Sequence, residues 1–120
     1  MSLAIGTLNV RGLTKDIAKR YLAEDLEKFN LDICSIQETK IGKLFDHITI
    51  TTPKKKIKYD VYLNSNTNNF HHGVGIAIKS CNKGHFERIS ERICQITCDD
   101  LRIKRKINLI AAYAPTSKTS

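Results

Sequence analysis

Two prolines and six glycines among 120 residues are too few for a fibrous or low-complexity chain. No apolar run approaches the roughly 20 residues that span a bilayer, so no membrane helix is expected. Met1-Ser2-Leu3 runs straight into an apolar segment and does not read as a signal or targeting sequence, which makes an intracellular compartment the expectation. Four cysteines are present, Cys34, Cys81, Cys94 and Cys98, but none forms a Cys-x-x-Cys pair. The close spacing of Cys94 and Cys98 lacks a second ligand pair, so reduced thiols packed in strands are expected rather than a zinc site. Acidic residues are also scarce. Twelve Asp and Glu against twenty Lys and Arg leave a net charge of +8.

What is present begins with a nearly continuous apolar run at residues 3–10, the pattern of a buried strand. Arg11-Gly12-Leu13 reads as a turn, and Thr14 as the N-cap of a helix. Ile17, Ala18, Tyr21, Leu22, Leu26 and Phe29 recur at helical spacing, predicting one apolar stripe with Tyr21 in the core. Asn30 suits a left-handed terminator, and Asp32 to Gln37 reads as a second strand with Cys34 in its core. Strand, helix and strand within about 35 residues make a βαβ unit with a right-handed crossover.

Beyond it, residues 39–57 read as a long loop. Tyr59 to Leu63 reads as a short strand, Asn64 to Asn69 as a polar loop, and Gly73 to Ile78 as another strand. Residues 86–98 read as one strand and Asp99-Asp100 as a turn. Arg102 to Tyr113 reads as the last strand, and the two-residue period puts Leu101, Ile103, Ile107, Leu109, Ala111 and Tyr113 on one face. Connections too short for helical crossovers predict antiparallel pairing of these later strands. The expected class is α/β, with a mixed sheet that starts β-α-β and continues antiparallel.

The positive charge favours an anionic partner, of which nucleic acid is the commonest. It gathers in two clusters, Lys54, Lys55, Lys56 and Lys58 around a loop and Arg102, Lys104, Arg105 and Lys106 at a strand start. Neither is interleaved with aromatics, so a stacking platform for single strands is not indicated. Asn9 falls at the carboxyl end of the first strand and Glu38 directly after the second. Parallel strands would bring both side chains to the edge where open α/β sheets bind ligands. A carboxylate beside a carboxamide oxygen suits Mg²⁺, although Asn and Glu at strand ends also serve simply as turn formers.

Four segments carry a more specific signal. Gly6-Thr7-Leu8-Asn9-Val10-Arg11-Gly12 and Asp32-Ile33-Cys34-Ser35-Ile36-Gln37-Glu38-Thr39-Lys40 resemble, in order, the first two motifs of the endonuclease/exonuclease/phosphatase superfamily. Gly73-Val74-Gly75-Ile76-Ala77-Ile78 is similar to its glycine-led strand, and Tyr113-Ala114-Pro115-Thr116 to its later Tyr-x-Pro segment. The Asn-Val-Arg-Gly-Leu and Gln-Glu-Thr-Lys forms resemble endonucleases of non-LTR retrotransposons.

The resemblance implies half of a four-layer DNase I-like α/β sandwich, with residues 1–120 as the N-terminal half of the domain. It implies an endonuclease nicking DNA with Mg²⁺ or Mn²⁺, placed in the nucleus. Glu38 matches the family's metal-binding glutamate, Asn9 the asparagine that orients metal and scissile phosphate, and Tyr113 a tyrosine near the phosphate. At Arg11 the chain departs from repair-type members, which carry an acidic residue there, and a second metal contact at that position is not implied. Arg11 and Lys40, with His71 and His72 in the polar loop, are expected along the nucleic-acid backbone; the two histidines also read as plain solvent-facing imidazoles.

The family's Asp-x-Asn and late Asp-His motifs lie after the Tyr-x-Pro strand and are not among these residues. A lone half would expose the inner face of its sheet, so pairing with the missing C-terminal half or a second copy is expected. The alternatives are a non-catalytic nucleic-acid-binding remnant and, less favoured by the charge, a phosphatase of lipid or inositol phosphates.

Overall fold

Residue alternation and one helix organise the chain into two sheets. The structure is a computed structural model describing residues 3–66, 69–82, 84–100 and 105–113. The first apolar run forms β1 (Ile5–Asn9), which is not the buried strand expected: it alternates exposed and half-buried residues because it is an edge of its sheet. α1 (Asp16–Lys28) and β2 (Ile33–Gln37) follow. β1 and β2 pair in parallel, Ile5 opposite Ile33 and Asn9 opposite Gln37. β3 (Phe45–Thr51), β4 (Lys58–Asn66) and β5 (Asn69–Lys79) complete a five-stranded mixed sheet in the order β1-β2-β5-β4-β3. β6 (Gly84–Ser90), β7 (Ile93–Asp100) and β8 (Arg105–Ala112) make a separate antiparallel sheet. The expected antiparallel pairing of the later strands is what forms.

The first sheet is apolar on both faces, and each face has its own cover. Cys34, Ile36, Val61 and Leu63 pack with Leu22, Ala23 and Leu26 of α1 on one side. Ile33, Val74, Ile76 and Ile78 pack with Cys94, Ile96, Cys98 and Ala111 of the second sheet on the other. Burial of this kind contributes roughly 25 cal/mol per Å² of apolar surface and is the main stabilising term. Helix, sheet and sheet therefore stack as three layers. The inner face that a lone half-domain was expected to leave open is covered over β4 and β5 by β6–β8.

Several sequence expectations give way to tertiary context. Residues 45–51, expected within a loop, form β3, because an edge strand needs only one apolar row and Ile48 and Ile50 supply it. Asn64 and Ser65, expected in a loop, lie inside β4 and are fully buried. Residues 86–98 are two strands, since Glu91–Arg92 turns and the Ser90 hydroxyl accepts from Arg92 N at 3.2 Å. Asp99 and Asp100 end β7 rather than turn, facing Lys106 and Arg105 across the ladder. Ile107, Leu109, Ala111 and Tyr113 do share the inward side of β8 and its end; Leu101 and Ile103 lie outside the described residues.

The helix deviates from its predicted stripe. Leu22, Ala23 and Leu26 are buried, while Ile17, Tyr21 and Phe29 are each more than half exposed. Tyr21 is thus a surface residue: the stripe that meets the sheet is rotated one position, and Ala23 takes the place given to it. Lys15, not Thr14, occupies the N-cap, and no side chain caps there. Asn30 does adopt the left-handed conformation (φ 47°) and ends the helix. Tyr59, wholly buried, donates its hydroxyl to Leu31 O at 2.6 Å, tying β4 beneath the end of α1.

No disulfide joins the four cysteines, of which Cys34, Cys94 and Cys98 are buried in strands and Cys81 is exposed. Burial pushes the thiols of Cys34 and Cys94 up to about 12, which leaves them inert as nucleophiles. No helix among the described residues is long and apolar enough to cross a membrane.

Candidate functional site

The parallel pairing of β1 and β2 does not stop at the strand ends. Val10 N donates to Gln37 O at 3.1 Å, Gly12 N to Glu38 O at 2.7 Å, and Leu13 N to Thr39 O at 2.9 Å. Two loops therefore leave the sheet zipped together, with Asn9 and Glu38 brought to the same edge. On the far side Glu38 N donates to Gly73 O at 2.8 Å, which seats the turn on β5.

Both loops bend through unusual backbone. Arg11 (φ 51°), Glu38 (φ 59°) and Lys40 (φ 50°) are non-glycine residues in the left-handed region. Such residues cost on the order of 1–3 kcal/mol each and persist only where their surroundings hold them. Gly73 (φ 139°) faces Thr39 so closely that a Cβ would lie 2.0 Å from the threonine hydroxyl. The turn that carries Glu38 can close only over a glycine.

Within this edge, Asn9 Nδ2 donates to Glu38 Oε2, and Asn9 Oδ1 accepts from Arg11 N at 3.1 Å. Lys40 Nζ lies 3.5 Å from Glu38 Oε1. The Asn9 bond to the charged form holds the Glu38 carboxyl below its ordinary range; burial opposes this, and the Lys40 and Arg11 charges reinforce it. Glu38 is therefore an ionised carboxylate at neutral pH, orientated by Asn9 and flanked by two cations. A cavity of about 220 Å³ opens on the Asn9 side of this edge, between the end of β1 and α1, lined in part by Asn9, Arg11, Tyr21 and Asp25. A larger one, about 510 Å³, lies elsewhere, between α1 and the lysine turn.

Four of the residues singled out from sequence, Asn9, Arg11, Glu38 and Lys40, thus share one edge. Tyr113 comes from the second sheet, half-buried against its core, and its backbone N donates to Arg92 O at 2.9 Å. His71 and His72 fall in β5 rather than in a preceding loop, because antiparallel pairing with β4 carries strand structure up to Asn69; their side chains lie outside the described residues, as do Pro115 and Thr116.

The basic clusters sit apart. Lys54, Lys55 and Lys56 occupy an exposed turn, which Glu27 of α1 holds by accepting from Lys54 N at 3.3 Å and Lys55 N at 2.6 Å. Arg105 and Lys106 are exposed on β8, while Arg102 and Lys104 lie outside the described residues.

As a metal site the edge is sparse. Among the described residues, no group of three or more His, Cys, Asp or Glu side chains could hold an ion. The donors present are one carboxylate and the second lone pair of a carboxamide oxygen. That set fits Mg²⁺, which commonly keeps several waters and binds through one or two carboxylates plus substrate phosphate. It does not make a closed cage. Sequence reasoning gave no role to Thr39 or Asn64, both fully buried behind the turn; Thr39 stands inside the second matching segment, whereas nothing in the local pattern of Asn64 distinguishes it from a loop residue. No protein-family model matches the chain, and no curated protein matches it either.

Proposed function

We propose that this chain is the N-terminal half of a Mg²⁺- or Mn²⁺-dependent phosphodiesterase of the endonuclease/exonuclease/phosphatase superfamily, of the retrotransposon type that nicks DNA, most simply in the nucleus. One observation carries the reading. Asn9 and Glu38, the two polar residues of the matching motifs, are hydrogen-bonded at the carboxyl ends of adjacent parallel strands, on loops in left-handed conformation. The helix–sheet–sheet stacking also supports three layers of the four in a DNase I-like sandwich.

A divalent ion would be held by Glu38, with Asn9 Oδ1 beside it, and would neutralise charge developing on the phosphate oxygens. The chain's own residues do the rest of what is present. Asn9 fixes the Glu38 rotamer and keeps the carboxylate ionised. Lys40 and Arg11 place positive charge where a phosphodiester would enter, and the Tyr113 hydroxyl is a donor for a phosphate oxygen.

The Asp-x-Asn and late Asp-His motifs from which the family takes its general base do not occur in these 120 residues, and among the described residues of the Glu38 edge none is assigned that role. For this polypeptide by itself, a second reading is therefore favoured: nucleic-acid binding without turnover, the single-carboxylate site and the +8 charge being its support. Its partner in catalysis would be the family's second half or another copy of the chain.

Plasmid nicking with and without Mg²⁺, on this chain and on Glu38→Ala, tests both readings. Mg²⁺-dependent nicking lost in the variant supports a working site assembled from this half. Binding to DNA that weakens steeply with salt, without nicking, supports the binding reading. Nicking that survives in Glu38→Ala would sink the role given to Glu38, and absence of both activities would sink the nucleic-acid assignment.

A further inference from the structure

We infer that Asn64 is a positioning residue, the link that holds Tyr113 on the second sheet at a set spacing from the Glu38 turn on the first. The phosphodiesterase reading gives that spacing its purpose, but the link itself is argued from contacts alone. Asn64 is fully buried in β4. Its main-chain oxygen is 3.5 Å from the hydroxyl of Thr39, the residue after Glu38. Its carboxamide Nδ2 donates to Ser90 O at 2.6 Å and reaches Ile93 O at 3.5 Å. Those two carbonyls bracket the β6–β7 turn, and Arg92 in that turn accepts from Tyr113 N. Glu38, Thr39, Asn64, the β6–β7 turn and Tyr113 are thus joined in sequence by hydrogen bonds and peptide links.

Two further observations set Asn64 apart from a packing residue. Its Oδ1 is buried with no hydrogen-bond partner, an arrangement native interiors rarely keep without a reason. The β4–β5 register also shifts between Asn64 and Asn66, an irregularity of the kind that re-aims a side chain beside a site. Asparagine is poorly suited to a strand interior. An apolar residue would fill the space without an orphan acceptor, but it would remove the hydrogen bonds from Asn64 to Ser90 O and Ile93 O.

The test uses the whole chain, ¹⁵N-labelled, with Asn64→Leu (same branching, no polar atom) and Asn64→Asp (same shape, the amide donor removed). Amide hydrogen exchange at Tyr113 is expected to quicken about fivefold in both, the worth of one hydrogen bond, with Cys34 and Ile76 unchanged. Mn²⁺ titrated in as a paramagnetic probe should broaden Gly12 and Thr39 amides and the Tyr113 ring. In both variants the broadening of Tyr113 relative to Gly12 should fall. Unchanged exchange and an unchanged ratio overturn the inference, as does uniform acceleration of every amide, which marks a purely structural role. In the wild-type chain the Asn64 carboxamide protons should exchange slowly and show nuclear Overhauser contacts to the β6–β7 turn. Fast exchange there overturns the inference even if neither variant folds. If Mn²⁺ broadens nothing around Asn9 and Glu38, the metal reading fails, while the exchange arm still decides the Asn64 link.

Discussion

At the residue scale, the pair Asn9 and Glu38 decides the chemistry of the edge. A carboxyl whose folded pKa lies below its unfolded value contributes stability that is present above the unfolded value. That contribution is lost as pH falls through the folded one. For Glu38 the loss should therefore set in below the ordinary value of 4.5. NMR titration of the Glu38 side chain should give a midpoint under 4.5, and Asn9→Ala should move it upward, because the Asn9 hydrogen bond is the largest cause of the depression. A midpoint that ignores Asn9→Ala would assign the depression to Lys40 and Arg11 instead. The same bond makes Asn9 a holder of the glutamate as much as a ligand, since one Oδ1 lone pair is already taken by Arg11 N.

At the element scale, the site is a property of two loops and the strand behind them. β1 and β2 deliver Asn9 and Glu38, but β5 decides whether the Glu38 turn can close. Gly73→Ala puts a methyl against the Thr39 hydroxyl and forces a side chain into a conformation only glycine adopts readily. Strained backbone and overpacking each cost about 1–3 kcal/mol, so a loss on the order of 3 kcal/mol is expected in urea denaturation. Chemical-shift changes should be largest at Glu38, Thr39 and Lys40. A small loss with shifts spread evenly over β5 would show that the turn does not depend on this contact. The lysine turn is another element-level arrangement: the Lys55 and Lys54 backbone amides hold the Glu27 carboxyl below its usual range, anchoring the turn to α1.

At the scale of the whole molecule, the two sheets change what pairing is for. The face expected to stand open is covered by β6–β8, so association is not needed to bury β4 and β5. Among the described residues, the outer face of the second sheet stays exposed with Ile89, Ile93 and Ile110, and no strand pairs with the outer edge of β8. An unpaired edge beside exposed apolar residues is a template for further strand pairing. Light scattering on the chain is accordingly expected to show self-association that Ile110→Lys on β8 reduces. A monomer at all concentrations would remove the second copy from the list of partners.

The amino-acid order by itself determined the β-α-β start, the antiparallel character of the later strands, the inward row of the last strand and the four edge residues. These are local periodicities and strand-end positions, which act over a few residues. It did not determine that residues 45–51 are a strand, that 84–100 are two, or that Tyr21 lies outside. An edge strand needs only one apolar row, and a helix can turn its face by one position with little change in pattern. Nor could it reveal Asn64, whose carboxamide finds its partners 26 and 29 residues away. Only the stacking of one sheet on the other brings those carbonyls within reach, and that contact made a polar residue in an apparent loop the link between the Glu38 turn and Tyr113.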